Sequence, residues 1–234
     1  MISVCIATYN GEKYIEEQLN SILTQLNKND EIIISDDNST DKTLEIINKL
    51  GDKRIKIFHS KIKNPIFNFE NALKQAQGDI IFTADQDDVW LPHKVSTSIK
   101  ALENVDFILS DCYVVNEDLD IIHDSFFKVN SSTTNKWLAL IKNPYLGCCL
   151  AFKKEILNTA LPFPKNIPMH DIWLGNIAAF QYKIKICPEK LIYYRRHTHN
   201  ASTSSNKSEN KLHLKLKYRK DLMVSLIKRI IFEQ

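Results

Sequence analysis

Short apolar runs alternate along the chain with stretches in which apolar residues recur at spacings of three and four. Ile2 to Ala7 is rich in branched residues and predicts a buried strand, which Thr8-Tyr9-Asn10-Gly11 ends. Tyr14, Ile15, Leu19, Ile22, Leu23 and Leu26 fall on one side of an amphipathic helix. Glu31 to Ser35 predicts a second strand, closed by the polar turn Asp36-Asp37-Asn38-Ser39-Thr40. Thr40 or Asp41 offers a cap for a helix over Lys42 to Leu50. Ile55 to Phe58 predicts a third strand, and Phe67 to Gln77 a third helix closed by Gly78. Asp79 to Thr83 predicts a fourth strand, followed by Ala84-Asp85-Gln86-Asp87-Asp88, and Pro92 opens the next helix.

Strands alternating with helices at this spacing imply right-handed βαβ units and a mainly parallel sheet with helices on both faces. The expected class is therefore α/β, Rossmann-like. Ligands in such sheets sit beyond the carboxyl ends of the strands. Three polar clusters occupy those ends, Thr8-Tyr9-Asn10, Asp36-Asp37 and Asp85-Gln86-Asp87-Asp88, and they should meet on one rim. The second half is less regular. It predicts strands at Val105 to Val115, at Leu146 to Phe152 with Gly147 at its start, and at Ile184 to Cys187. Helices are predicted at Trp137 to Lys142, Ile172 to Phe180 and Leu212 to Phe232, with a Ser- and Asn-rich linker at Asn200 to Asn210.

Composition narrows the picture modestly. With 234 residues, 44% hydrophobic and 25% charged, the chain can bury one sizeable core. The net charge of +3, with basic residues gathered in the tail, argues against nucleic-acid binding. Five cysteines without CxxC spacing read as buried, reduced thiols rather than a disulfide framework or a zinc site. The chain has no leader-like start and no apolar run near the ~20 residues of a membrane span, so a cytoplasmic protein is expected.

The candidate chemistry lies on the predicted rim. Asp85 and Asp87, two apart, point the same way if the chain is extended there. Paired carboxylates are costly, and a hard divalent ion, Mg²⁺ or Mn²⁺, relieves them while bridging to substrate phosphates. The plainer reading is a solvated acidic turn. A carboxylate of Asp36-Asp37 can accept hydrogen bonds from a nucleobase or ribose, or can simply cap the next helix. Thr8 and Tyr9 offer a hydroxyl and a flat face for a base. Asp171, after a loop carrying Pro162, Pro164 and Pro168, is a candidate general base or only a helix cap; His170 competes as base or metal ligand. Tyr193-Tyr194-Arg195-Arg196-His197 follows the last predicted strand and suits phosphate oxygens, or is a basic surface patch.

Taken in order, ATYNGEKYIEEQLNSILTQ, IIISDDNSTDKT, GDIIFTADQDDVWLPHKV, LGCCLAFKKEI, MHDIWLGNIAAF and LIYYRRHTHN resemble the family 2 glycosyltransferases, inverting enzymes of the GT-A fold. The HD-x-W-L helix followed by a YRxH stretch resembles a bacterial subgroup of rhamnosyl- and hexosyltransferases that build surface polysaccharide. The resemblance implies a catalytic domain over 1–200, with a nucleotide-binding half at 1–110 and an acceptor half at 111–200; composition and periodicity add a mobile linker at 201–210 and a basic helix at 211–234. It places Thr8, Tyr9, Asp37 and Asp85 at the nucleoside, and Asp87, with Asp85, at the metal. It places Gly147, Arg196 and His197 near the donor sugar and diphosphate, and Asp171 as the catalytic base. Ile172 departs from the bulky aromatic or acidic residue of many relatives, which bears on the acceptor.

The implied partners are a UDP- or dTDP-linked sugar donor, Mn²⁺ or Mg²⁺, and a saccharide or lipid-linked saccharide acceptor. In the tail, Leu216, Leu222, Val224, Leu226, Ile227 and Ile231 alternate with basic residues, which reads as an amphipathic helix. It suits the inner face of an anionic membrane, or packing on the catalytic domain or on a second subunit. Two other functions compete. A sugar-nucleotide nucleotidyltransferase would want a glycine-rich basic loop after the first strand, where only Gly11 and Lys13 stand. An inactive sugar-nucleotide-binding module would be expected to lose the acidic pair or the base.

Overall fold

Each early apolar run is bounded by a polar turn, and each becomes a strand. The computed structural model describes residues 1–130, 132–198 and 212–232; the predicted linker at 201–210 lies outside them, as do the side chains of 212–215. Strands β1 (Ile2–Thr8), β2 (Glu31–Asp36), β3 (Ile55–His59) and β4 (Ile80–Ala84) pair in parallel in the order β3-β2-β1-β4. Helices α1 (Ile15–Leu23), α2 (Thr43–Leu50) and α3 (Pro65–Gln75) make the crossovers. Val4, Ile6, Ile32, Ile34 and Phe82 are fully buried, as strands covered on both faces require. Thr8 pairs with Asp36 and Ile6 with Ala84, so the segments after β1, β2 and β4 leave the sheet at one edge.

The short strand β5 (Val89–Trp90) and helix α4 (Lys94–Leu102) lead into β6 (Phe107–Val115). Then follow β7 (Ile121–His123), α5 (Phe126–Asn130), α6 (Lys136–Ile141), β8 (Leu150–Lys153), α7 (Glu155–Ala160), α8 (His170–Gln181), β9 (Ile184–Arg195) and α9 (Leu212–Ile227). The sheet continues β4-β8-β6-β9-β5, with β8 antiparallel to both neighbours, β9 parallel to β6, and β5 antiparallel to β9. The expected α/β class stands. All five cysteines are buried and unbridged.

Several elements depart from expectation for identifiable reasons. Helix α3 starts at Pro65, because Asn64 caps it by accepting from the Ile66 and Phe67 amides at 2.9 and 3.4 Å. Its C-cap is Ala76 in extended backbone rather than Gly78. Gly78 is needed for close approach instead, since a Cβ there would lie 2.6 Å from the Ser3 nitrogen. Gly147 does not begin a strand. Gly147–Cys149 forms a 3₁₀ turn, and the strand starts at Leu150. The carbonyls of Gly147, Cys148 and Cys149 accept from Thr83 Oγ1, Lys94 Nζ and Ser110 Oγ, so they are not free for a ladder.

Strand β9 does not stop at Cys187. Pro188 lacks an N–H and the register with β6 shifts there, but pairing resumes and runs to Arg195. The Tyr-Tyr-Arg cluster thus ends the strand instead of following it. Helix α9 packs through Leu222 and Leu226 and leaves Met223, Ile227 and Ile231 exposed, so its apolar side chains lie on two faces rather than one. Among the described residues no helix is long and apolar enough to cross a membrane.

Candidate active site

The part of the rim formed by the ends of β1 and β2 is built largely from buried oxygen atoms. Thr8 is buried, and its hydroxyl donates to Asp36 at 3.0 Å while its carbonyl accepts from the Asp37 amide at 2.9 Å. Tyr9 is more than half exposed, and its backbone is clasped by the Gln86 amide, which accepts from its N–H at 3.0 Å and donates to its carbonyl at 3.1 Å. The β1 and β4 ends are therefore locked together. Asp37 accepts from Ser60 Oγ at 3.1 Å and from the amides of Ile62 and Asn64 at 2.8 and 3.1 Å. It thereby shapes the loop between β3 and α3 alongside any ligand it receives.

The acidic cluster forms a turn, not an extended stretch, and the turn makes the carboxylates converge. Asp85 is pushed well above the usual carboxylate range, by burial first and then by Asp87 and Asp171. Asp87 Oδ2 lies 2.8 Å from His197 Nε2. The His197 ring stacks on Tyr14, with centroids 5.0 Å apart. Asp88 is fully buried, and its Oδ1 accepts from the Arg195 amide at 2.9 Å.

Arg195 holds this turn in place. Its Nε donates to the Asp87 carbonyl at 2.9 Å, its Nη1 to the Glu117 carbonyl at 2.6 Å, and its Nη2 to Glu17. Its guanidinium lies 4.6 Å from the Tyr14 ring centre. Arg196, one residue past the strand, donates to Tyr194 Oη at 2.9 Å and lines a cavity with Glu117 and His197.

One close group of ligand atoms stands here among the described residues, with a looser arrangement beside it. Those of Asp85, Asp88 and Cys148 lie within 4.8 Å of one another. A thiol suits neither Mg²⁺ nor Mn²⁺, and Asp88 already has one oxygen on backbone. Asp87 pairs with His197, and its charge also reaches Asp85, so two carboxylates and an imidazole adjoin one another without forming so tight a cluster. That donor set fits Mn²⁺ well and Mg²⁺ through its carboxylates.

Across the rim, Asp171 lies in the first turn of α8, where the helix N-terminus favours negative charge. Burial nevertheless raises its carboxyl from 3.8 to about 7, with the amides of Ile172, Asp171 and Gly147 pulling the other way. Gly147 is packed against this turn: a Cβ there would meet His170 Nε2 at 2.7 Å and the Asp171 Cβ at 3.8 Å. His170 is buried, stacks on Phe69 with centroids 3.9 Å apart, and has no partner on either ring nitrogen among the described residues. Burial lowers it to about 3, so it is a neutral imidazole and a poor base at physiological pH.

The structure therefore brings Asp85, Asp87 and His197 together, with Asp171 close enough to Asp85 to raise it. Thr8, Tyr9 and Asp37 form the neighbouring section of the rim, and Arg196 lines a cavity beside His197. The sequence offers Arg195 within the Tyr193–His197 cluster as a group for phosphate oxygens, whereas the structure ties it to the protein itself. The alternation of a strand implies that one of two adjacent arginines points inward, but with the strand expected to end at Cys187 there was no register to say which.

Comparison with known proteins now places the chain. Residues 3–161 match the model of glycosyl transferase family 2. The chain belongs to that family. It is 33% identical to the Escherichia coli UDP-Glc:alpha-D-GlcNAc-diphosphoundecaprenol beta-1,3-glucosyltransferase WfaP over 214 residues, 88% of this chain and 81% of that protein. It is 31% identical to the Shigella flexneri dTDP-rhamnosyl transferase RfbG over 216 residues, 83% of this chain and 72% of the relative. Among solved structures it superposes on S. aureus TarS in complex with UDP-GlcNAc with a TM-score of 0.71 at 21% identity, covering 99% of this chain and 66% of that one. The mannosyltransferase PcManGT of Pyrobaculum calidifontis, in complex with GDP-Man and Mn²⁺, gives 0.63 at 21% identity, covering 98% and 64%. These likenesses establish the GT-A fold for a family 2 chain that spans just under two thirds of those solved chains.

Proposed function

We propose that this protein transfers a sugar, with inversion, from a UDP- or dTDP-linked donor to a hydroxyl of a saccharide or lipid-linked saccharide acceptor in surface-polysaccharide assembly. The observation that carries the reading is a buried carboxyl at position 171, poised at about 7, facing a turn that gathers Asp85 and Asp87 beside His197. The family supports transferase chemistry, and the names of the E. coli and Shigella relatives support the donor and acceptor classes.

In this reading Asp171 accepts the proton of the acceptor hydroxyl as that oxygen bonds to the anomeric carbon. The bond from that carbon to the diphosphate oxygen breaks on the opposite side, and the nucleoside diphosphate leaves. General base catalysis of this kind contributes roughly 10²–10⁴-fold, most effectively when the base titrates near the working pH. Asp87 and His197, with Asp85 beside them, would hold Mn²⁺ or Mg²⁺, which when bound offsets the charge of the leaving diphosphate. Asp37 and Tyr9 take the nucleoside. Thr8, Gln86 and Arg195 fix the geometry of the groups that touch it. Gly147 lets the backbone lie against the base and the donor sugar.

Calorimetry of UDP and dTDP binding with and without Mn²⁺ tests the metal assignment. In the wild-type protein Mn²⁺ should tighten nucleoside diphosphate binding, and in Asp87→Ala that dependence should vanish. Equal affinity with and without the ion in the wild-type protein would overturn it.

A further inference from the structure

Exposed apolar side chains concentrate on one part of this molecule. Trp137 and Ile141 of α6 are 63% and 60% exposed, and Ile231 and Phe232, in the turn that continues α9, are 64% and 76% exposed. Leu222 and Leu226 are buried against the domain, while Met223 and Ile227, and Ile231 in the wider turn that continues the helix, form a separate exposed stripe. The inner face is firmly anchored. Arg229 donates to the carbonyls of Thr159, Leu161 and Pro162 at 2.6 to 2.9 Å and lies 5.7 Å from the Trp173 ring centre. Arg219 donates to the Ile141 carbonyl at 2.6 Å, which clasps α9 to α6 and makes the stripe continuous with Trp137 and Ile141.

The charges around this stripe are predominantly positive. Lys217, Lys220 and Lys228 stand exposed along α9, and Lys142 is exposed at the end of α6. Lys136 lies over the Trp137 and Phe180 rings. Asp221 is the one acid among the described residues of α9, and it is half-buried. A second copy of the chain docked symmetrically here would set lysines against lysines across the contact. An anionic bilayer meets both halves of the chemistry. The aliphatic and indole groups enter the headgroup–acyl boundary, and the lysine stems reach the phosphates.

We infer that α6 and α9 together form a docking face for an anionic lipid surface. The face rests on α8, the helix whose first turn carries Asp171, so docking would fix the orientation of the candidate base relative to the bilayer. Binding itself does not depend on the proposed reaction, and its test involves no turnover.

The tryptophans supply the assay. Trp90 and Trp173 are 3% and 0% exposed, so a change in emission on binding reports Trp137. Mixing the protein with vesicles of phosphatidylglycerol and phosphatidylcholine at low salt should shift emission to the blue, and the protein should float with the vesicles. Vesicles of phosphatidylcholine alone should give neither result. The double variant Ile227→Ser/Ile231→Ser, altered only at exposed positions, should partition about tenfold or more weakly while keeping its thermal unfolding temperature. Absence of shift and flotation at low salt would overturn the inference. So would flotation that the double variant leaves unchanged. Light scattering that found a dimer dissolved by that variant would make the face a contact between copies instead.

Discussion

Replacing Asp171 by Asn should abolish most turnover and yet stabilise the protein at alkaline pH. Burial lifts this carboxyl from 3.8 to about 7. The native state therefore holds a proton that the unfolded chain releases between those values. For an acid raised on folding, native stability declines as pH rises from about 4 through about 7, then levels off. The span is worth about 4 kcal/mol at most. Asparagine has the same shape, can accept from the same amides, and never ionises. Urea denaturation at pH 5 and pH 8.5 reads the effect directly. Wild-type and variant should differ little at the lower pH, and the variant should be more stable by about 2 to 4 kcal/mol at the higher one. Turnover should fall by roughly 10² to 10⁴, and the acidic limb of wild-type kcat/KM, centred near 7, should disappear. If the variant is no more stable than wild type at pH 8.5, the carboxyl is not raised and the case for a poised base fails.

Further substitutions probe the scaffold around this group. Arg195→Lys swaps a planar fork that joins Asp87, Glu117 and Glu17 for one compact ammonium. It should cost about 2 to 4 kcal/mol of stability and weaken Mn²⁺-dependent nucleotide binding; an unchanged urea midpoint would show that the fork is not a strut. Gly147→Ala places a Cβ 2.7 Å from His170 Nε2, so kcat should drop while the fold survives, and His170→Ala in the same chain should restore part of the rate. A single variant with wild-type kcat would refute that coupling. Gly175→Ala puts a Cβ 2.4 Å from the ring of buried Tyr145, which packs edge-on against Phe107. Thermal unfolding should report a loss of about 1 to 3 kcal/mol, and an unaltered midpoint would mean that the ring moves freely.

The first half of the chain was legible because its physics is local. Each strand is a continuous branched-residue run, each crossover helix carries its own period, and in parallel βαβ units every such strand sends its polar turn to the same edge. The position of Asp85 and Asp87 beside Thr8 and Asp36 follows from that rule alone. The second half depends on contacts distant in sequence. The 3₁₀ turn at Gly147 exists because Thr83 and Lys94 claim its carbonyls, and both belong to other elements. Strand β9 survives Pro188 because β6 re-registers against it. Arg195 emerges as a strut once that continuation is known. The His197–Asp87 contact spans 110 positions, and no local pattern encodes it.

The rim gathers more negative charge than the surrounding protein balances, and this decides how it can act. Asp85 and Asp88 are each raised by burial and by their acidic neighbours, and Asp171 adds to the effect on Asp85. The nearest cations do little to offset this. Arg195 is committed to two backbone carbonyls and to Glu17. Lys94 is buried beneath the turn, where burial lowers its own affinity for a proton. Folding holds these carboxyls together at a cost met largely by the core of β1, β2, β4 and β8, with the Arg195 amide on Asp88 and the Ile172 amide on Asp171 as partial compensation. A group so arranged gains most from a cation that arrives with the substrate. The proposed base, Asp171, across the rim, titrates near neutrality because burial disfavours its charged form.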